Sequence, residues 1–284
     1  MSASKKETLS IIKNNNIKVK KHFGQCFLTD GNIINKIASL PGERKNTTVV
    51  EVGPGLGYLT EALLKKYRKV IAYEIDKDMI QILKEKFKNE KNLEIIEGDI
   101  LKGDLNEDLK EIEGEVISVS NLPYYITSPI ITLFLEKADR VKDMYFMVQK
   151  EVADRVSAIP GNKDYNAFSV SLQYETTVKK LLDVKRECFT PSPNVDSAVI
   201  EIKKKEEYKK AKDESLFKKI INSSFSQRRK TLINNLSMFP IDKEELKQII
   251  ISLGFDENIR AERLTIEDFI KLSDIIGGYY ESRN

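Results

Sequence analysis

The chain has 284 residues, of which 40% are hydrophobic, and its formal net charge is +3. This length accommodates one large domain and a smaller one, and the apolar content is ample for buried cores. The longest apolar runs fall well short of the roughly 20 residues that span a bilayer, and the lysine-rich N-terminus lacks the apolar segment of a secretory signal. We therefore expect a soluble, cytoplasmic protein without a membrane partner.

Cysteine and histidine usage excludes several kinds of site. Cys26 and Cys188 belong to no Cys-x-x-Cys pair, and His22 is the only histidine. The chain therefore lacks the ligands of a Cys/His zinc site, and we expect no bound metal. Hydrolases of the Ser-His-Asp or Cys-His kind need a histidine that a third group positions. Since His22 lies among lysines, we expect it at the surface.

The charges are distributed unevenly along the chain. Residues 5–21 and 203–230 are mainly basic, whereas residues 85–115 are mainly acidic. Such asymmetry fits binding to a polyanion. Lysine runs that are simply solvated faces fit the pattern equally well, so charge alone leaves nucleic-acid binding open.

From about residue 47, short apolar runs alternate with amphipathic stretches, which predicts β-α units around a parallel sheet. The predicted strands are Thr48–Val52, Val70–Glu74, Leu93–Glu97, Val116–Ser120 and Met144–Gln149. The predicted helices between them are Leu59–Lys66, Asp78–Lys88 and Ser128–Lys137. The pattern indicates an α/β doubly wound domain of Rossmann-like topology.

The C-terminal part of the chain shows a different pattern. Three further strands, predicted at Ala167–Tyr174, Val178–Val184 and Ser197–Lys203, would extend the sheet in antiparallel fashion. After the charged stretch 203–214, helical spacing predicts helices at Leu216–Phe225, Arg229–Leu236, Lys243–Leu253 and Ile266–Ile276. We therefore predict a first domain over residues 1–206, with a basic N-terminal arm, and a small helical domain over 207–284.

The first predicted strand runs into a glycine-rich loop, VVEVGPGLGYLTEALL, with Glu51, Gly53, Gly55 and Gly57 at alternate positions. Glycines let the backbone turn sharply and approach a ligand closely at the mouth of a sheet. The G-x-G-x-G spacing differs from the G-x-G-x-x-G that binds a dinucleotide pyrophosphate. The loop therefore favours a ligand without phosphates.

Acidic residues follow the next two predicted strands, Glu74 in VIAYEID and Asp99 in IIEGDI. At this edge of an open α/β sheet, Glu74 would accept hydrogen bonds from ribose hydroxyls, and Asp99 from an adenine amino group. Either acid alone is as readily a solvated loop residue. Together with the glycine loop, they predict S-adenosylmethionine, which joins an adenosine to an amino acid without phosphate.

The fourth strand continues into NLPYYITSPI, which combines an amide, a proline and an aromatic ring. We predict that the Asn121 side chain and the Pro123 backbone carbonyl accept the two hydrogens of an adenine amino group, while Tyr124 stacks on the base. The nitrogen lone pair would then face the sulfonium methyl, and positioning and electrostatics would drive direct transfer without a strong base.

The alternative for the NLPY segment is a Pro-Tyr turn that packs on its own sheet. A cytosine-C5 reaction would need a Pro-Cys pair, which the chain lacks.

The segment CFTPSPNVDSAV presents Phe189 ahead of two prolines that stiffen the loop. Phe189 is either a core residue or the wall of the base pocket opposite Tyr124. Stacking is worth about 1–3 kcal/mol per base, comparable with the few kcal/mol that unstacking costs. Unpaired or loop adenines are therefore the predicted substrates.

Seven segments occur in one order along the chain: HFGQCFLTD, EVGPGLGYLTE, YEID, EGDI, NLPYYITSPI, FTPSPNVDSAV and FSQRRKTLINNL. With them the chain resembles the ribosomal RNA adenine dimethyltransferase family over nearly its whole length, most closely the bacterial small-subunit enzymes of the KsgA type. The resemblance implies a class I methyltransferase sheet. It implies S-adenosylmethionine contacts at Gln25, Cys26, Leu28, Gly53, Gly55, Glu74, Asp99 and Asn121, and catalytic contacts with adenine at Asn121, Pro123, Tyr124 and Phe189.

The resemblance also implies a substrate. The family converts two adjacent adenosines, in a hairpin loop near the 3′ end of small-subunit rRNA, to N6,N6-dimethyladenosine. Arg228, Arg229 and Lys230 would grip the RNA of a precursor subunit through phosphate contacts, although a charged helix face is the alternative. The family usually has asparagine where this chain has Cys26, so a main-chain contact would have to replace that side-chain bond. Nothing in the sequence calls for an obligate partner, so we expect a monomer.

Three other functions stay open at this point. A large-subunit rRNA methyltransferase of the antibiotic-resistance (Erm) type shares the chemistry, but its motif commonly reads NIPY and its C-terminal part is generally shorter. A DNA adenine methyltransferase would act on duplex DNA. A non-catalytic RNA-binding factor on the same fold would lack turnover, against which the intact cofactor loop and NLPY argue.

Overall fold

The computed structural model describes residues 5–14 and 26–281. Its strands are β1 (Phe27–Leu28), β2 (Thr48–Val52), β3 (Lys69–Glu74), β4 (Leu93–Glu97), β5 (Val116–Asn121), β6 (Val141–Gln149), β7 (Thr176–Val184), β8 (Phe189–Thr190) and β9 (Ser197–Lys204). Its helices are α1 (Lys5–Asn14), α2 (Gly31–Ser39), α3 (Tyr58–Leu64), α4 (Lys77–Lys86), α5 (Leu105–Leu109), α6 (Thr127–Lys137), α7 (Lys150–Val156), α8 (Ala167–Glu175), α9 (Glu214–Ser224), α10 (Leu232–Asn235), α11 (Lys243–Ser252) and α12 (Ile266–Glu281). Within these two ranges, no helix is long and apolar enough to cross a bilayer.

The central sheet has seven strands in the order β4-β3-β2-β5-β6-β9-β7 in the part of the chain that the structure describes. The strands from β4 to β6 pair in parallel, and β9 pairs with β6 in antiparallel fashion. Every residue of β2 is buried, as expected for a parallel strand that is covered on both faces. This arrangement confirms the predicted α/β fold. The chain order reverses between β2 and β5, which is where ligands bind in open α/β sheets.

Aspartates fix where the helices beside this crevice begin. The side chain of Asp30 accepts hydrogen bonds from the backbone amides of Asn32 and Ile33 at the start of α2. Asp76 accepts in the same way from the amide of Asp78 at the start of α4. Because the first amides of a helix have no partner within it, such caps set the residue at which the helix starts.

The chain divides into two compact units. Among the described residues, one unit contains those up to 153 together with 179–204, and the other contains 154–178 together with those from 205 to 281. The second unit has its own core of buried apolar residues, in which the rings of Tyr174 and Phe217 lie 4.3 Å apart. The observed division therefore differs from the single boundary predicted between 206 and 207, because residues 154–178 belong to the second unit.

The strand predicted at Ala167–Tyr174 is wrong, because this segment is helix α8. Its alternating polar and apolar residues imitate a strand. The Asn166 side chain, however, accepts hydrogen bonds from the amides of Phe168 and Ser169, and the Ser169 hydroxyl accepts one from the Asn166 amide. This reciprocal cap starts a helix, which the packing in the second unit then stabilises.

Candidate active site

A cavity opens at the carboxyl ends of β2, β3 and β5. Its lining is Cys26, Phe27, Leu28, Glu51, Gly53, Pro54, Gly55, Leu56, Tyr58, Leu59, Glu74, Ile75, Asp76, Met79, Asn121, Leu122, Pro123, Tyr124 and Tyr125. The glycine loop and the NLPY segment, which are far apart in sequence, thus meet at one site. Of the residues predicted for cofactor and base, the cavity brings together Cys26, Leu28, Gly53, Gly55, Glu74, Asn121, Pro123 and Tyr124.

The glycine loop lies close to the side chains that surround it. At Gly55 the backbone has a φ of +57°, and an added Cβ would lie 3.2 Å from the Phe27 ring. At Gly53 an added Cβ would lie 3.4 Å from the Pro123 ring. Glycine is therefore needed at Gly55 both for the left-handed conformation and for the close approach of Phe27.

Glu74 holds the end of β3 and the glycine loop together. One of its carboxylate oxygens accepts hydrogen bonds from the amides of Ile75 and Asp76, at 2.9 Å each, and the other accepts from the amide of Gly55 at 3.1 Å. The side chain is buried, and burial raises its pKa above the ordinary value while the backbone amides lower it. The oxygen that accepts only from Gly55 keeps a second lone pair, so the group can still accept a hydrogen bond from a ligand hydroxyl.

Glu51 is a site residue that the sequence indicates only as part of the glycine-loop pattern. It is 1% exposed, lines the cavity, and its Oε2 atom has no hydrogen-bond partner among the described residues. Burial raises its pKa to about 8. The acidic position directly before a glycine loop was the available signal. A buried carboxyl group facing a cavity marks a place for a cationic or hydrogen-bonding ligand group.

Asp99 lies beside this cavity and not in its lining. It contributes to a smaller adjoining pocket, where Gly98 and Ile100 are its neighbours. The two linings share Gly53, Glu74, Ile75, Pro123 and Tyr125. Glu74 therefore lines both pockets, whereas Asp99 lines only the smaller one.

The described site suits S-adenosylmethionine. Its main cavity is lined by three acids, Glu51, Glu74 and Asp76, and no lysine, arginine or histidine belongs to that lining. This set favours hydroxyl, ammonium and sulfonium groups and does not favour phosphates. The smaller pocket beside Asp99 adds an acceptor for an amino group.

Asn121 ends β5 at the rim of the cavity, and its side-chain amide makes no hydrogen bond to any described residue. Next to it, the Leu122 amide donates to the carbonyl of Met147 at 3.0 Å. The Leu122 carbonyl accepts no hydrogen bond within the described ranges. Both residues line the cavity, and the Asn121 amide oxygen and the Leu122 carbonyl are two adjacent acceptors without a partner among the described residues.

The Pro123 carbonyl, which the sequence analysis predicted as the second acceptor, is already used. It accepts hydrogen bonds from the Ile126 amide and from the Thr127 hydroxyl, both at 3.2 Å. These bonds close the short 3₁₀ turn that begins after the proline. The ring of Pro123 instead packs against Gly53, so its contribution is to shape the loop and to leave the preceding carbonyl free.

The two predicted aromatic walls have different environments. Tyr124 is half-buried and lines the cavity. Phe189 is 1% exposed, and its strand position pairs with Leu28 in the short β1-β8 ladder. Its ring belongs to the apolar core of the first unit and is absent from the cavity lining. The structure therefore brings Tyr124 to the site and places Phe189 in the core, outside the cavity lining.

The remaining predicted residues have three different outcomes. Gln25 lies outside the described residues. The half-buried Cys26 lines the cavity, and burial raises the pKa of its thiol. The basic residues Arg228, Arg229 and Lys230 are exposed. They lie in the connection between α9 and α10, because α10 starts only after its cap, Thr231.

The chain matches known proteins over nearly its whole length. A family model described as ribosomal RNA adenine dimethylase matches residues 16–277. Two bacterial proteins are called "Ribosomal RNA small subunit methyltransferase A". That of Bacillus mycoides (strain KBAB4) is 42% identical over 282 residues, 96% of this chain and 97% of the relative. That of Clostridioides difficile (strain 630) is 43% identical over 286 residues, 99% of each chain.

Solved structures with the same fold include a dimethyladenosine transferase from Plasmodium falciparum, with a TM-score of 0.70 and 26% identity, covering 87% of this chain and 95% of that one. The 23S rRNA methyltransferase ErmE has a TM-score of 0.69 at 24% identity over 88% of this chain and 99% of its own, a likeness of fold alone. By the full-length sequence match, this chain belongs to the ribosomal RNA adenine dimethylase family of S-adenosylmethionine-dependent methyltransferases.

Proposed function

We propose that the chain dimethylates the N6 amino groups of two adjacent adenosines, in a hairpin loop near the 3′ end of small-subunit rRNA. The names of the bacterial relatives support the small subunit as the source of the RNA. The single observation that supports the chemistry best is the pair of unused acceptors, Asn121 and Leu122, at the rim of an acidic cavity.

S-adenosylmethionine, when bound, supplies an electrophilic methyl group on a sulfonium. Glu74 would accept hydrogen bonds from the ribose hydroxyls, and Asp99 would accept one from the adenine amino group of the cofactor. The carboxyl of Glu51, which is buried and lines the same cavity, would interact with the positive groups of the amino-acid end. Gly53 and Gly55 allow the loop to follow the ligand without side chains in between.

The target amine would donate its two hydrogens to the Asn121 side-chain oxygen and the Leu122 carbonyl. This arrangement directs the nitrogen lone pair away from the two acceptors and toward the donor methyl. Tyr124 would stack on the base. The proton becomes acidic once the nitrogen is alkylated and leaves to water, so these residues need no strong general base. After the first transfer, the monomethylated amine has one hydrogen left to donate, so the second transfer depends on a single acceptor bond and on stacking.

We propose that the substrate is rRNA within a precursor small subunit and that the enzyme is a monomer. The exposed basic residues Arg228, Arg229 and Lys230 would add phosphate contacts from the second unit. Binding through such contacts should weaken steeply with salt.

Mass spectrometry of RNA incubated with the enzyme and labelled cofactor tests the proposal. Immature small subunits that lack the modification are compared with protein-free large-subunit RNA and with duplex DNA. We expect two dimethyladenosines at adjacent positions of the small-subunit RNA only. Label in the large-subunit RNA would instead indicate the activity that the name of ErmE describes, and no label in any substrate would indicate a non-catalytic binding protein.

A further inference from the structure

Tyr124 is fixed at the far end of its ring by a residue from a distant strand. Its hydroxyl forms a 2.6 Å hydrogen bond with the Oγ atom of Ser197. Ser197 is fully buried and is the first residue of β9, whereas Tyr124 begins the short turn after β5. The bond therefore connects the NLPY segment to the strand that follows the FTPSP loop.

The two partners belong to different kinds of element. Ser197 stands opposite Gln149 in the antiparallel ladder between β6 and β9. The same strand β6 also supports the acceptor pair, since the Met147 carbonyl receives the Leu122 amide. Tyr124, in contrast, lies outside any ladder, in a turn whose ring is half-exposed at the cavity. Ser197 thus connects the Tyr124 ring to strand β6, the same strand that holds the Leu122 amide.

We propose that Ser197 is a positioning residue that holds the plane of the Tyr124 ring for stacking on the target adenine. Stacking requires a ring held within a narrow angular range, and a side chain in a turn gains that order only from a second anchor. A phenylalanine would offer the same stacking face but could not form this hydrogen bond. The proposed role therefore gives the Tyr124 hydroxyl a function. The inference rests on the proposed role of Tyr124 as the stacking residue.

A double-mutant cycle measures the coupling. The variants are Tyr124→Phe, Ser197→Ala and the double variant, assayed with small-subunit RNA at saturating cofactor. We expect each single variant to lose about three- to tenfold in kcat, as for loss of one buried hydrogen bond, with the KM for S-adenosylmethionine within about twofold of wild type. The double variant should lose no more than either single variant, because both changes remove the same bond.

Ser118→Ala is the matched control. Ser118 is also a fully buried serine of the same sheet, and its hydroxyl donates to the Val50 carbonyl at 2.9 Å. This variant should lower the Tm and leave kcat close to wild type. An equal loss of kcat in Ser118→Ala would show that any buried serine of the sheet matters, and would overturn the positioning role.

A direct reading of ring order comes from 2-aminopurine in place of the target adenosine in an RNA hairpin. The chain contains no tryptophan, so its own fluorescence does not mask that of the probe. We expect wild type to quench the bound probe by stacking, and Tyr124→Phe and Ser197→Ala to quench it less at equal RNA occupancy. Unchanged quenching and kcat in Tyr124→Phe would overturn the inference even if Ser197→Ala failed to fold. A wild-type enzyme that leaves small-subunit RNA unmethylated would instead refute the proposed function.

Discussion

Glu74 accepts a hydrogen bond from the backbone amide of Gly55 at 3.1 Å, and this bond fastens the glycine loop to the end of the neighbouring strand β3. The carboxylate proposed to bind the ribose therefore also shapes the loop that faces the rest of the ligand. A change at Glu74 is expected to affect cofactor binding through both routes.

We predict that Glu74→Ala weakens S-adenosylmethionine binding at least tenfold. Hydrogen bonds to a charged group are worth about 1.5–3 kcal/mol each, and about 1.4 kcal/mol corresponds to tenfold in affinity. Titration calorimetry measures the effect. Glu97→Ala is the control, because Glu97 also ends a strand of this sheet but is exposed and pairs with Lys84. Equal affinities for wild type and Glu74→Ala would remove Glu74 from the cofactor site.

We predict that Gly57→Ala destabilises the protein more than Gly42→Ala. Both glycines have positive φ, +75° and +84°, so alanine introduces comparable backbone strain at each position. Only at Gly57 would the new Cβ collide with neighbours, since it would lie 2.6 Å from the Phe87 ring and 2.8 Å from Leu83. Overpacking typically costs about 1–3 kcal/mol, or several degrees in Tm. Thermal unfolding of both variants would contradict this account if the two Tm values fell equally.

The pKa of Glu51 predicts how stability varies with pH. Burial raises this pKa from its usual 4.5 to about 8. Between these values the folded state binds more protons than the unfolded state, so the contribution of Glu51 is most favourable below about pH 4.5 and declines as the pH rises toward 8. The side chain of the variant Glu51→Gln does not titrate, so its contribution to stability does not decline as the pH rises. Its Tm relative to wild type should therefore rise between pH 5.5 and 8.5 by at least about 3 °C, and a constant difference would contradict the assignment.

Lys86 supports the glycine loop from the side of α4. Its Nζ donates to the carbonyls of Leu56 and Gly57, at 3.3 and 3.4 Å. We predict that Lys86→Met raises the KM for S-adenosylmethionine about three- to tenfold while kcat at saturation stays near wild type. Lys84→Met removes a more exposed lysine of the same helix and should leave KM unchanged. The prediction fails if the two variants behave alike.

The sequence was sufficient for the features that depend on local pattern and chain order. The parallel strands are marked by their apolar runs, and Glu74 and Asn121 stand at strand ends, which meet at one edge of the sheet in this fold. The second acceptor could not be predicted, because it depends on which hydrogen-bond donors compete for each backbone carbonyl. The Pro123 carbonyl is consumed by its own turn, and this becomes visible only when the donors of Ile126 and Thr127 are located.

Two other differences, at helix α8 and at Phe189, also originate in tertiary structure. Polar and apolar residues alternate along helix α8 as in a strand. The cap at Asn166 and packing in the core of the second unit favour the helix instead. Phe189 follows the pattern of a loop aromatic, yet its register opposite Leu28 buries it in the core. Its predicted contact with the base stays a prediction, which requires the ring to become accessible when RNA binds.

The central claim is that the Asn121 amide oxygen, next to the Leu122 carbonyl, orients the target amine toward the methyl donor. Single-turnover methyl transfer by Asn121→Ala, with preformed enzyme–RNA complex and saturating S-adenosylmethionine, tests it most directly. We expect the transfer rate to fall at least about 100-fold, as when one essential polar contact of a transition state is lost, while RNA affinity stays within about threefold of wild type. A transfer rate equal to that of wild type would contradict the account.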